Sequence, residues 1–161
     1  LANVISGCPV LDASEPGIPP GLPLAMIRQD ATLVLARADH RHAAWLQACA
    51  ASLGMENVIV ADQAVEAQCD ITLFQEIISR GDTPPGEIVA RTRHRMALGG
   101  RWYCLRARFD AAEVEGLPHG AEFVQAIAIP APSLEAPRQI LHIATGVNQT
   151  TAALEAKDES P

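Results

Sequence analysis

The side chains that could bind a small molecule lie in one stretch, residues 87–110, which reads EIVARTRHRMALGGRWYCLRARFD. Alternating segments on either side of Gly99-Gly100 predict a β-hairpin in which position 98 lies opposite position 101. Hydroxyl and imidazole groups on its mostly apolar face could orient a ligand by hydrogen bonds, although a histidine there could equally be satisfied within the core. The predicted ligand-binding row is Thr92, His94, Met96, Tyr103 and Leu105.

The other face of the predicted hairpin is rich in arginine. In this register Arg93 lies opposite Arg106, and like charges that face each other across a sheet repel. Carboxylates of the same chain, an acidic partner surface, a second subunit or a small anion could offset that repulsion. A tryptophan on the same face favours an interface, because Trp and Arg are enriched at binding hot spots. The predicted partner-binding surface consists of Arg91, Arg93, Arg95, Trp102, Arg106 and Arg108.

No other group of side chains indicates a catalytic or metal site. His40 and His42 are two residues apart and would point in different directions on a helix. Asp110, Glu113 and Glu115 could form a carboxylate cluster, but a solvated loop is the simpler interpretation. The sequence has no GxGxxG, Walker or HExxH motif. We therefore predict no catalytic residues and no metal, and the sequence specifies no cofactor.

Composition places limits on location and partners. The 161 residues are enough for one domain with a buried core, and the net charge of −7 makes nucleic acid an unexpected partner. The four cysteines are far apart in the sequence, which favours reduced thiols in a cytosolic protein. No apolar run is long enough for a membrane span. We expect a cytoplasmic protein that does not bind membranes.

The first half of the chain is predicted to hold an arm, a hairpin and a helix. Residues 1–23 contain five prolines and three glycines and are predicted to be an irregular arm. Two apolar runs in 24–37 predict a second hairpin. The helix that follows would begin after an N-cap at Asp39, bury positions 43, 46, 50 and 53, and stop at Gly54.

The second half is predicted to continue with a short strand in 55–62, a helix over 62–80 and a strand at 121–129. We predict a C-terminal helix that begins between 137 and 148, although the run ILHIATGV also suits a strand. Hairpins on both sides of a helical middle indicate an α+β domain with an antiparallel sheet and helices packed on one face.

This order of elements, together with local text, resembles a PAS sensory domain over roughly 24–130. PLAMIRQDATLVLARADHRHAAWL is similar to the first PAS hairpin and helix, and the stretch 87–110 is similar to the long hairpin of that family. The resemblance implies a PAS-like domain at 24–132, between the N-terminal arm and a signalling segment at 133–161. It also implies a non-enzymatic sensor of a bacterial signalling or transcription-regulatory protein, acting as a homodimer that binds a small ligand or partner.

Two alternatives remain open. An NTF2-like cavity enzyme or carrier would use His94 and Tyr103 with a loop carboxylate. A receiver domain is suggested by TLVLARADHRHAAWLQACAASLGMENVIVAD, which resembles the first βαβ unit of that family. A parallel βαβ unit within 24–60 would rule out the PAS interpretation.

Overall fold

The computed structural model describes residues 1–6, 9–14, 19–64, 72–108, 110–130 and 138–146. Its strands are β1 (Val10–Asp12), β2 (Leu33–Ala36), β3 (Val58–Ala61), β4 (Phe74–Arg80), β5 (Met96–Arg106), β6 (Ala121–Ile129) and β7 (Arg138–Thr145). Its helices are α1 (Gly21–Ile27), α2 (His40–Ser52), α3 (Pro85–Thr92) and α4 (Ala112–Glu115), and a 3₁₀ turn at Arg93–Arg95 follows α3.

All seven strands form one sheet in the order β3-β2-β1-β4-β5-β7-β6. The first five strands in that order are parallel, whereas β7 is antiparallel to both β5 and β6. The chain winds outward from β1 to β3, returns to β4 beside β1, and winds outward on the other side. This is a doubly wound α/β fold, so the predicted antiparallel α+β sheet of PAS type is wrong.

Apolar side chains cover both faces of the sheet. Val10 packs with α1 and α2 on one face, and the next residue, Leu11, packs with α3 on the other. A parallel strand that is buried on both faces is apolar at every position and shows no alternation. For this reason β1 shows no alternating pattern in the sequence. The prediction of an irregular arm at 1–23 is wrong, because this segment contains a central strand and the start of α1.

The predicted hairpin at 87–110 does not form. Residues 85–92 are helical, because proline occupies the first turn and Ile88, Val89 and Thr92 share a buried face. β5 then runs through Gly99-Gly100, with Trp102 between Ile77 of β4 and Ile143 of β7. The register against β4 shifts between Phe74 and Glu76, and Gly99 has a φ of +74°. The glycines therefore accommodate an irregularity within one strand.

Several local predictions are confirmed. The Asp39 side chain accepts hydrogen bonds from the backbone N–H groups of Arg41 and His42 and caps α2. Ala43, Leu46 and Ala50 are buried, and Gly54 follows the helix with a φ of +63°. Position 53 was predicted to be buried, but its leucine side chain is 56% exposed. β3 and β6 lie where strands were predicted.

The remaining element predictions are corrected by the sheet. Residues 24–37 contain the end of α1 and β2 in place of a hairpin, and 74–80 form β4 in place of a helix. β2, α2 and β3 make a parallel βαβ unit, which rules out the PAS-like domain at 24–132. Residues 138–145 form β7, so a helix there is wrong, and residues 147–161 lie outside the described part of the chain. Among the helices described, none is long and apolar enough to cross a membrane.

Candidate functional site

The fold places a ligand crevice at the carboxyl ends of β1 and β4. Ligands of doubly wound sheets bind outside the carboxyl ends of the strands, at the point where the winding direction reverses. In this chain β1 pairs with β2 on one side and with β4 on the other, so the reversal falls between β1 and β4. We call the carboxyl ends of β1, β2, β3 and β4, with the residues that follow them, the carboxyl edge.

Asp12 is the last residue of β1 and is completely buried. Its Oδ1 accepts a hydrogen bond from the backbone N–H of Ser14 at 2.9 Å, and its Oδ2 accepts one from Gly21 at 2.6 Å. A Cβ at position 21 would lie 2.7 Å from that Oδ2 and 2.6 Å from a methyl carbon of Leu35. Glycine is required at this position because a Cβ would collide with both side chains. The hydrogen bond from Gly21 to Asp12 joins the start of α1 to the end of β1.

Arg37 follows β2 directly and is only 4% exposed. Its Nη2 lies 3.3 Å from Asp12 Oδ1, and its Nη1 donates to the Asp12 carbonyl oxygen at 3.1 Å. The charges of these two side chains therefore neutralise each other inside the protein. The pair joins β1 and β2 at the carboxyl edge.

Two further carboxylates lie near the ends of β2 and β3. Asp39 caps α2, and the hydrogen bonds from the backbone of His42 and Arg41 lower the pKa of its carboxyl group. Asp62 follows β3, and its Oδ1 lies 2.6 Å from Nδ1 of His40. Both carboxylates already have partners within the chain.

Residues predicted to bind a ligand lie on opposite faces of the sheet. Thr92 is the last residue of α3 and is buried, and its hydroxyl accepts a hydrogen bond from the Trp102 indole at 2.8 Å. Tyr103 is buried on the other face and donates to the Val4 carbonyl oxygen at 3.2 Å. Burial and the negative charge of Glu76 raise the pKa of that phenol.

The other three members of the predicted row are also separated. Met96 packs on the α3 side, Leu105 packs on the side of α1 and α2, and His94 is exposed in the 3₁₀ turn. The structure thus does not gather the predicted row into one pocket.

Residues predicted to bind a partner are likewise dispersed, and Trp102 is buried. Arg95 is also buried, and its guanidinium lies 5.4 Å from the centre of the Phe74 ring. Arg106 forms an ion pair with Glu113 at 3.0 Å, so a carboxylate of the same chain offsets its charge. Arg91 is half-buried, whereas Arg93 and Arg108 are exposed.

A cavity of about 470 Å³ lies at the opposite edge of the sheet, beside the start of β5 and the end of β7. Its lining includes Arg93, Met96, Trp102 and His119. Three of these residues belong to the predicted ligand or partner sets. The cavity is separate from the carboxyl edge.

Sequence reasoning missed Asp12 and Arg37. The available signal was an apolar run ending in aspartate, VLD, followed by a Gly/Pro-rich loop and, after α1, by a second apolar run, TLVLAR. Such an order is typical of a βαβ nucleotide site. The absence of the usual three glycines concealed it.

The family model for rRNA small subunit methyltransferase G (GidB) matches residues 11–142. The protein with that name from Laribacter hongkongensis is 31% identical over 140 residues, which cover 87% of this chain and 68% of the relative. The match extends from β1 to β7 and leaves out only Val10 of β1 and residues 143–145 of β7 among the strand residues.

Solved structures of methyltransferases share the fold. A protein from Thermoplasma acidophilum, provisionally assigned as a methyltransferase, superposes with a TM-score of 0.65 at 16% identity, covering 88% of this chain and 70% of that one. The N-methyltransferase NodS from Bradyrhizobium japonicum, in complex with S-adenosyl-L-homocysteine, gives 0.59 at 14% identity and covers 87% and 79%. At these identities the likeness shows the fold alone.

These matches overturn the functional expectations drawn from the PAS resemblance. The matching family is named for methylation of ribosomal RNA, and sensing, signal transduction and transcription regulation are not supported. The expectation that nucleic acid is an unlikely partner also conflicts with that name. It relied on net charge, which describes the whole molecule and says little about any one surface.

Proposed function

Because the chain belongs to the rRNA small subunit methyltransferase G family, we propose that it binds small-subunit ribosomal RNA in the cytoplasm. The observation that carries the proposal is the family match over residues 11–142, which includes both halves of the doubly wound sheet. A homodimer and a small-molecule ligand, both expected from the sequence, are compatible with this function and stay predictions.

Exposed arginines supply the physical basis for RNA binding. Protein affinity for RNA comes largely from contacts between basic side chains and phosphates. Arg93 lies at the rim of the 470 Å³ cavity, and Arg108 lies beyond the end of β5. We propose RNA phosphate as the acidic partner of these two side chains. A net charge of −7 keeps non-specific binding weak, so contacts must be local.

Methyl transfer to the RNA is the second candidate function, favoured by the name of the family and of its relatives. When bound, S-adenosylmethionine would supply a methyl group on a sulfonium. A nucleotide-type ligand in such a fold uses a glycine-rich loop after the first strand and an acidic residue about 20 residues further on. This chain has Ser14 and three prolines in that loop, and a buried arginine after β2. This loop and this arginine do not fit S-adenosylmethionine, the methyl donor.

The proposed function is tested by filter binding with labelled transcripts of small-subunit and large-subunit ribosomal RNA. We expect tighter binding of the small-subunit transcript, with an affinity that falls as salt rises. Arg93→Glu and Arg108→Glu should each weaken binding and reduce the salt slope by about 1 for each lost phosphate contact. Arg41→Glu, an equal charge change on α2, serves as the control. Equal affinity for both transcripts would contradict the proposal.

Activity is measured on the same samples, with S-adenosylmethionine labelled in its methyl group. Incorporation of label into small-subunit ribosomal RNA would establish the second candidate. RNA binding without incorporation of label would support the first candidate, RNA binding, and contradict methyl transfer.

A further inference from the structure

We propose that the carboxyl edge of this chain is closed to the methyl donor by the Asp12–Arg37 ion pair, so that the protein binds RNA without methylating it. The inference rests on the proposed function for its RNA partner. The part of the inference that concerns the methyl donor is argued from the side chains at the carboxyl ends of β1, β2 and β3.

The residue after β2 has the wrong charge for a ribose. In doubly wound nucleotide sites an Asp or Glu about 20 residues beyond the glycine loop accepts hydrogen bonds from the ribose hydroxyls. Here β2 ends at Ala36, and the next residue is Arg37. A guanidinium has five N–H donors and no acceptor, so it cannot replace that carboxylate.

The nearest carboxylate has no free oxygen for a ligand. Both oxygens of Asp12 accept backbone hydrogen bonds, from Ser14 and Gly21, and Oδ1 also lies beside Arg37. A ligand that displaced Arg37 would leave a buried carboxylate without its countercharge. Breaking a buried ion pair in this way is costly, which opposes binding.

Two polar atoms at this edge are buried without a hydrogen-bond partner among the residues that the structure describes: Ser14 Oγ and Arg37 Nε. Arg37 Nε is a donor, and the Ser14 hydroxyl has no charge. Neither supplies the carboxylate acceptor that a ribose diol meets in a nucleotide site.

Among the described residues, the other carboxylates that follow the strands at this edge are Asp39, Asp62 and Asp82. Asp39 uses its Oδ1 to cap α2, and Asp62 is paired with His40. Asp39 is exposed and lies two residues beyond Arg37, so among the described carboxylates it is the best placed to replace the missing acidic residue after β2. An Asp39→Asn variant tests this route directly.

The experiment is isothermal titration of the full chain with S-adenosylhomocysteine, and with S-adenosylmethionine in a second series. We expect no saturable binding, which means a dissociation constant weaker than about 1 mM. Binding tighter than that in the wild-type protein would overturn the inference. Its loss in Asp39→Asn, with binding retained in Arg41→Ala, would then assign the ribose contact to Asp39.

RNA binding, measured on the same preparation, separates the two proposals. RNA binding without S-adenosylhomocysteine binding supports both. If neither ligand binds, the proposed function fails while the closed edge stands. Binding of both ligands overturns the closed edge and leaves the proposed function in place.

Discussion

Asp12 has the largest predicted effect on stability of any single side chain at the carboxyl edge. Asp12→Ala would leave Arg37 buried without a countercharge and would leave two backbone N–H groups unpaired. Removing one partner of a buried ion pair costs about 3–5 kcal/mol, so we expect a loss of that size in the free energy of unfolding, measured by urea denaturation.

Asp30 provides the matched control, because it also pairs with an arginine but its side chain is 69% exposed. Solvent screens exposed pairs and leaves them little net contribution, so Asp30→Ala should lower the free energy of unfolding far less than Asp12→Ala does. Equal losses in the two variants would show that the Asp12–Arg37 pair is solvated in solution.

Cys104 should be inert as a nucleophile in the folded protein. Burial raises the pKa of its thiol to about 11, and only the thiolate reacts with alkylating agents. At pH 8 we expect the native protein to be alkylated at the half-buried Cys49 well before Cys104, as followed by peptide mass spectrometry. Protein unfolded in guanidinium should lose this difference. Rapid native labelling of Cys104 would contradict its burial in β5.

At the scale of elements, one buried hydroxyl joins α3 to β5 by a hydrogen bond, beside the apolar packing of Ile88 and Val89. Thr92 Oγ1 donates to the Ile88 carbonyl oxygen at 2.6 Å and accepts from the Trp102 indole at 2.8 Å. Thr92→Val keeps the shape but leaves the indole N–H without a partner, which costs about 1–3 kcal/mol. Thr92→Ser keeps the hydroxyl and should lose less. Urea unfolding followed by tryptophan fluorescence measures both, and equal losses would assign the effect to packing.

Elements specified by local signals could be predicted from the sequence, and those specified by partners could not. α2 has its cap, its apolar spacing and its terminal glycine within one short stretch, and it was predicted correctly except for Leu53. The Gly99-Gly100 pair is also a local signal, yet β5 continues through it because Met96 before the glycines and Arg101 after them both pair with β4, and Arg101 also pairs with β7. Pairing with strands distant in sequence overrides the turn preference of two glycines.

The candidate site could not be predicted for the same reason. Asp12 and Arg37 are 25 residues apart and meet only because β1 and β2 are neighbours in the sheet. In the sequence alone, Asp12 is an aspartate in a Pro/Gly-rich segment and Arg37 is an arginine before a predicted helix. The predicted partner-binding surface was wrong for the opposite reason. Its residues are close in the sequence, but α3 and the two faces of β5 separate them in the structure.

At the scale of the whole molecule, the doubly wound order predicts a gradient of local stability from the centre of the sheet to β3. β1 and β4 have neighbours on both sides and are largely buried, whereas β3 pairs only with β2 and has Ile59 54% exposed. Backbone amides at an edge exchange by local opening, while central amides need more global unfolding.

In native hydrogen exchange we expect amides of β4 to be protected for longer than those of β3. Low urea concentrations should accelerate β4 exchange more steeply, because global opening exposes more surface. If β3 and β4 instead exchanged at one rate with one urea dependence, the two halves of the sheet would unfold as a single cooperative unit, and the edge would have no independent opening.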